Sequence, residues 1–378
     1  MKIGVMLRHY EQQEGGVKVY TKKLLPLLFT LGAQHQYVLI YQNRKLLGTY
    51  ANYSNVREVL AALPGTVLWD QVAVPWVSRN MNLDLIFNPK FTVPLLTKTK
   101  TAFVLHGSEW FVIPEHFKRY DRWYFKRSVP IYCRNAAGFV AVSNAVKSDV
   151  VKYIGVEPDK VFAIHNGFDP TVFRPIDDHQ HLQAARRQYK LPEKFILWAG
   201  QIESRKNVAR LLQAFARIKD EVPHTLVMAG AQRWSTDAEL SEMRELGIAD
   251  RVLFTGWVNH TDLPVVYTLA DLFCFPSLYE GFGIPLLEAM ACGCPIVTAD
   301  TCAPPEVANG AAYLVDPLSV DAIAEGMRRV ILDRALRDTM IAQGLRRSKD
   351  FGWEKCAHEV LAMFDALHHN KAAVAPGG

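Results

Sequence analysis

The chain has 378 residues, 49% apolar and 21% charged. That composition excludes disordered, collagen-like and coiled-coil chains, and at ~100–200 residues per domain the length suggests two domains. The net charge of +5 hides an asymmetry: residues 1–174 carry 22 Lys and Arg against 12 Asp and Glu (+10), and residues 175–378 carry 21 against 26 (−5).

A basic half beside an acidic half suggests that the first meets something anionic. Nucleic acid is set aside, because the basic residues are scattered and no zinc-finger or RNP-type motif accompanies them. An anionic membrane surface and a phosphorylated acceptor both fit. No apolar run approaches the ~20 residues that span a bilayer. The start, Met1-Lys2-Ile3-Gly4-Val5-Met6-Leu7-Arg8, is too short an apolar run for a signal peptide and reads as a first strand. Six cysteines without framework spacing point to reduced thiols and a cytoplasmic protein.

In chain order, short apolar runs alternate with helical patterns, the signature of βαβ units around a parallel sheet. The first series of expected strands is Lys2–Leu7, Tyr37–Tyr41, Leu85–Asn88, Ala102–Leu105, Gly138–Val142 and Val161–Ile164. A second series starts afresh with Phe195–Ala199, then Thr225–Ala229, Val252–Thr255, Leu272–Phe275, Pro295–Thr298 and Ala312–Val315. Within the first helical pattern Pro26 predicts a bend or a late start. Between the series, the polar, proline-interrupted stretch from Phe173 to His181 reads as the start of a linker over 175–192. The expected domains are therefore 1–174 and 193–352, two tandem Rossmann-like units, with a cleft between them if they face each other.

The most informative stretch is Pro276-Ser277-Leu278-Tyr279-Glu280-Gly281-Phe282-Gly283-Ile284-Pro285-Leu286-Leu287-Glu288. A strand ends, a glycine loop follows, and a helix is expected to open at Pro285, with Glu288 in its first turn. Backbone N–H groups there can bind oxyanions and hydroxyls, and the two carboxylates could hold a polyhydroxylated ligand. On spacing alone Glu288 could equally complement the helix dipole and Glu280 be a solvated loop residue. Phe117 to Arg127 is basic, aromatic-rich and helical in pattern. It suits an anionic membrane or a lipid-linked acceptor, but more simply a surface helix with its aromatics turned inward. Cys292, Cys294 and Cys302 lack zinc-site spacing, and no D-x-D segment is present to hold a cation.

Glu280 and Glu288 with seven residues between them, enclosing Gly-Phe-Gly and followed by Ala-Met-Ala-Cys-Gly, resemble the E-x7-E motif of the retaining GT4 glycosyltransferases. Other segments resemble landmarks of the same family in the same order. These are Gly15-Gly16, Val104 to Gly107, Ala141 to Ser143, Ile164 to Asp169, Arg205-Lys206-Asn207, Pro305 to Val307 and Val315 to Pro317. The ordered series is far more specific than any one member.

The resemblance implies a GT-B fold, two facing Rossmann-like domains with an interdomain cleft, in which a C-terminal helix near 353–368 packs back on the first domain. It implies that Glu288 holds the nucleotide ribose, and that Glu280 with the backbone of Gly281, Phe282, Gly283 and Ile284 holds the donor sugar. Arg205 and Lys206 would neutralise the diphosphate, with Gly15 and Gly16 approaching it from the opposite domain, and His106 would stand near the reacting carbon. Gln201 occupies a position where many members carry arginine; Arg205 would supply that charge, as in a mannosyl- and rhamnosyltransferase-like subgroup.

The activity so implied is retaining transfer of a hexose, best guessed as mannose from GDP-mannose, to a glycan or lipid-linked acceptor in surface-polysaccharide assembly. No metal or other cofactor is expected, and peripheral contact with the inner face of an anionic membrane is. The rival readings are a non-catalytic nucleotide-sugar-binding subunit and a nucleotide-sugar epimerase.

Overall fold

The computed structural model describes residues 1–12, 15–230 and 242–369. Two units divide the chain, one comprising Met1–Gly167 with the segment from Gly352 onward, the other Phe168–Phe351.

The first unit carries β1 (Lys2–Met6), β2 (Gln36–Tyr41), β3 (Val56–Leu60), β4 (Leu85–Asn88), β5 (Lys100–Leu105), β6 (Gly138–Ala141) and β7 (Val161–Ala163). They form one sheet in the order β3-β2-β1-β4-β5-β6-β7, and the pairs run parallel. Strands buried on both faces read as continuous apolar runs, which is why most of them were visible in the sequence. The order reverses between β1 and β4, so the carboxyl ends of those two strands flank the crevice where ligands of open α/β sheets bind.

Helix Gly16–Leu31 runs through Pro26 without interruption. The carbonyl that Pro26 leaves unmatched is that of Lys22, an exposed residue, where water can satisfy it. Helix Trp353–His369 belongs to this first unit. Trp353 meets Tyr20 with ring centres 5.7 Å apart, Phe364 meets Phe87 at 5.0 Å, and Lys100 Nζ donates to the Leu367 carbonyl at 2.6 Å.

The chain leaves this unit after Gly167 and re-enters it at Gly352. A Cβ on Gly167 would lie 2.2 Å from the Trp353 backbone nitrogen and 2.5 Å from the Gly352 carbonyl carbon. Backbone cannot yield as a side-chain tip can, so Gly167→Ala is expected to cost about 1–3 kcal/mol. Urea unfolding of the variant checks this; an unchanged midpoint contradicts it.

The second unit carries β8 (Phe195–Ala199), β9 (Thr225–Ala229), β10 (Val252–Gly256), β11 (Leu272–Phe275), β12 (Ile296–Ala299) and β13 (Tyr313–Val315). This sheet is parallel too, in the order β10-β9-β8-β11-β12-β13, and reverses between β8 and β11.

The expected linker over 175–192 is not a linker. Helix His179–Gln188 occupies it, capped by Asp178, whose Oδ1 accepts from the backbone N–H of Gln180 and His181 at 3.0 and 3.2 Å. Just before it, Phe173 is buried against the rings of His260 and Tyr267. After it, Tyr189 donates to Asp262 Oδ2 at 2.6 Å. These contacts tie the segment to the second unit, whose limits are Phe168 and Phe351 rather than 193 and 352. The helix escaped notice because Ala185 is its one buried residue, too little for an apolar stripe.

Candidate functional site

In the second unit the loops after β8 and β11, the two strands of the order reversal, meet in an ionic cluster. After β8 the chain makes a short 3-10 turn, Ser204–Lys206, ended by Asn207 in the left-handed region (φ 58°) at the start of helix Val208–Ile218. The Asn207 amide donates to the carbonyls of Pro276 and Pro317 at 3.0 and 2.6 Å, and the Leu278 N–H donates to the Arg205 carbonyl at 2.8 Å. This stitching holds the two loops in register. Lys206 Nζ donates to Glu280 Oε1 at 2.5 Å and lies 4.4 Å from the Phe275 ring centre. Arg205 sits 3.4 Å from Glu280 Oε2 and 2.9 Å from Glu203 Oε2.

Lys206 and Glu280 are both buried. Burial pulls the Lys206 ammonium below its ordinary pKa. Burial alone would raise Glu280, but the charges of Lys206 and Arg205 outweigh it and hold the carboxyl below its usual range, so it is ionised at neutral pH. The groups expected to hold diphosphate and sugar therefore form one preassembled cluster. Gln201 lies exposed on the loop after β8.

Gly281, Phe282 and Gly283 carry the chain from Glu280 into helix Ile284–Ala291. Gly283, at φ 96°, is the N-cap, a conformation that favours glycine, and Phe282 is buried with its ring 5.8 Å from that of Phe351. The helix opens one residue earlier than expected, and no acidic residue stands in its first turn. Glu288 therefore lies beyond that turn, where the helix-dipole explanation of its presence weakens. Burial lifts its pKa to about 8 against a lesser opposing effect of the Tyr267 hydroxyl. Glu288 is thus largely protonated at neutral pH.

In the first unit, Gly15 (φ 104°) caps helix Gly16–Leu31, and among the described residues nothing lies within 4 Å of where a Cβ would stand on Gly15 or Gly16. This is a helix N-terminus with no acidic residue in its first turn, an end whose backbone N–H groups can face an anion. His106 follows β5. Its Nε2 lies 2.8 Å from the Pro89 carbonyl oxygen, and its ring stands edge-on to Tyr20 at 5.0 Å. A carbonyl can only accept, which assigns the ring proton to Nε2 and leaves Nδ1 as the acceptor. Burial lowers its pKa to about 4, so His106 is a neutral hydrogen-bonding group at pH 7 and a weak base.

The structure adds residues that the sequence did not single out. Arg8, just past β1, lies 3.5 Å from Asp70 and 3.4 Å from His9 Nε2, and all three are buried. Lys90, just past β4, has its pKa lowered to about 8 by burial and then by Arg8. Burial, with Lys90 and Arg8, holds His9 neutral at about 2. Two cations against one carboxylate thus gather at the switch point of the first sheet. The only hint in the sequence was charged residues directly after apolar strands.

Several landmarks serve local structure. Ser143 caps helix Asn144–Ile154, and the Glu306 and Val307 carbonyls accept from Arg347 at 2.8 and 3.0 Å. None of the six cysteines forms a disulfide within the chain. Among the described residues, no cluster of three or more His, Cys, Asp or Glu is placed to hold an ion, and no helix is long and apolar enough to cross a membrane.

Comparison with known proteins agrees with this architecture. The family described as "Glycosyl transferases group 1" matches residues 183–347, and "Glycosyltransferase Family 4" matches residues 14–172. The chain is 28% identical over 296 residues to the O-antigen chain mannosyltransferase B of Escherichia coli, covering 77% of each. It is 30% identical over 248 residues to the serotype-specific mannosyltransferase WbdA of Escherichia coli, covering 64% of this chain and 30% of that longer protein. Among solved structures, Anabaena HepE in complex with UDP-glucose superposes with a TM-score of 0.75 at 19% identity, over 97% of this chain and all of that one. With two parallel Rossmann-like sheets, both halves matched and a GT-B structural neighbour, the chain belongs to the family 4 glycosyltransferases.

Proposed function

We propose that this glycosyltransferase moves a hexose from a nucleotide-sugar to a hydroxyl of a glycan or lipid-linked acceptor, with retention at the anomeric carbon. Mannose from GDP-mannose is the first candidate, since the O-antigen relative of Escherichia coli is named a mannosyltransferase. The observation that carries the reading is the Arg205–Lys206–Glu280 cluster spanning the carboxyl ends of β8 and β11. Its cations sit where the leaving diphosphate gathers charge as the C1–O bond breaks, the charge whose stabilisation lowers the barrier most.

Glu280 orients Lys206 and accepts from sugar hydroxyls, together with the Gly281–Ile284 backbone, and Glu288 accepts from the ribose. The acceptor oxygen bonds to C1 on the face the diphosphate leaves, and its proton passes to the departing phosphate oxygen. His106, neutral and proton-bearing at Nε2, serves as a hydrogen-bonding group near C1, and Gly15 and Gly16 offer backbone N–H groups to the phosphates.

The test is incubation of the protein with labelled GDP-mannose, dTDP-rhamnose or UDP-glucose and extracted lipid-linked glycans, reading product and anomer by NMR. One donor is expected to be consumed only with acceptor present, to give the retained anomer, and to turn over equally fast in EDTA because Arg205 and Lys206 neutralise the diphosphate. Inverted product contradicts the mechanism. A changed sugar without acceptor indicates an epimerase, and binding without turnover a non-catalytic subunit.

A further inference from the structure

The outer torsion of a histidine side chain is broad and roughly two-fold. Turning the ring over exchanges Nε2 with a carbon and breaks whatever bond Nε2 makes. His106 stands half-buried just past the end of β5. Its 2.8 Å bond from Nε2 to the Pro89 carbonyl selects one orientation without excluding the other, since a neutral ring can turn and carry its proton on Nδ1 instead. A group of fixed position is needed to hold the ring against that turn.

Tyr20 stands in that place. Its ring meets the imidazole at 5.0 Å with an angle of 85° between the planes, the edge-to-face arrangement that aromatic rings prefer. Tyr20 lies in helix Gly16–Leu31 and is fully buried. Its ring also meets that of Trp353 at 5.7 Å and 76°, and its hydroxyl lies beside the Cys356 thiol. His106 therefore meets the Tyr20 ring rather than its hydroxyl. Trp353 and Cys356 are buried in their turn. Trp353 opens helix Trp353–His369, one residue after the chain re-enters the first unit at Gly352. Its backbone nitrogen is so close to Gly167 that a Cβ there would stand 2.2 Å away. The packed backbone at re-entry thus seats Trp353, Trp353 seats Tyr20, and Tyr20 stands against His106.

We propose that Tyr20, seated by Trp353, is the positioning residue that fixes the orientation of the His106 ring and with it the Nε2–H tautomer. The orientation follows from packing within the first unit; its consequence for the rate rests on the reading of His106 as a hydrogen-bonding group near C1. Fully buried, Tyr20 acts through the imidazole and meets no ligand itself. Misplacing a group at a reacting centre by about 1 Å can cost roughly 10²-fold in rate. Loss of the Tyr20 ring is therefore expected to lower turnover and to leave donor affinity in place.

The test is NMR at neutral pH on protein whose histidines are isotope-labelled at the ring nitrogens, with His106 assigned by its loss in His106→Ala. Wild type and Tyr20→Phe, which keeps the ring, are expected to show one His106 tautomer with its proton on Nε2. Tyr20→Leu is expected to show a mixture with the Nδ1–H form; should it not fold, Trp353→Leu is expected to show the same mixture. In initial rates, Tyr20→Leu is expected to lower kcat about tenfold or more with the donor KM within about twofold of wild type. Tyr20→Phe is expected to restore the rate, and Tyr20→Leu to add no further loss in His106→Ala. A merely structural role predicts the same fold-loss from Tyr20→Leu with and without the histidine. That result overturns the proposal, and so does a His106 signal that stays a single Nε2–H tautomer in both leucine variants. If His106→Ala turns over as fast as wild type, the reading of His106 near C1 falls, and the tautomer spectra still decide the proposal.

Discussion

Lys206→Met is expected to slow transfer by about 10²–10³-fold, the usual cost of removing one preorganised donor to developing negative charge. It is also expected to destabilise the chain by about 3–5 kcal/mol, because breaking a buried ion pair leaves its other member uncompensated. Both side chains are under 10% exposed, Lys206 at 9% and Glu280 at 8%. Of its two cations Glu280 would then keep Arg205, which lies 3.4 Å away and is shared with Glu203. The double variant Lys206→Met/Glu280→Gln is expected to recover most of the stability and none of the activity. Urea unfolding and initial rates on the three proteins separate the two effects. A single variant with unchanged stability and a rate within about threefold of wild type contradicts the assigned role.

The second large effect is a pH dependence carried by Glu288. Its pKa near 8 in the free chain is raised by burial, and the ribose hydroxyls it would receive are donors that favour the ionised form. Nucleotide affinity is therefore expected to rise by about 30-fold between pH 6.5 and pH 9, with proton release on binding. The stability of the free chain has the opposite slope. A carboxyl whose folded pKa is raised contributes most below the ordinary glutamate range, and that contribution is lost as pH rises through about 8. Calorimetric titration across this range checks both signs. In Glu288→Gln the pH slope should vanish; a slope that survives assigns the titration to another group.

Strands buried on both faces announce themselves, and twelve of the expected runs became strands within two residues of their predicted ends. The missed strand, β3, reads Val-Arg-Glu-Val-Leu. It is an edge strand with one neighbour, β2, and only half-buried, and its Glu58 turns back to accept from the Tyr50 N–H at 2.7 Å. Its polarity belongs to an edge, but in the sequence it looked like a loop.

The site was legible as a set of residue types and not as an arrangement. That Lys206 and Glu280, 74 positions apart, are ion partners depends on β8 lying beside β11, and no periodicity encodes strand order. The Arg8–Asp70–Lys90 gathering was hidden for the same reason. Conversely, Asn207 and Ser143 recur in family landmarks but bond backbone here, stitching the 276–278 loop and capping a helix. A motif names residues that matter without separating those that hold the loop from those that would touch the ligand.

Thermal unfolding with GDP, UDP, dTDP and ADP, on wild type and on Glu288→Ala, tests whether the 280–288 segment is the donor site. A ligand that binds only the folded chain stabilises it by about 2.7 kcal/mol at 100 times its Kd. One nucleotide is expected to stabilise the wild type to that extent and to leave Glu288→Ala unmoved. If none stabilises the wild type, or if the variant is stabilised equally, the donor site does not lie at Glu288.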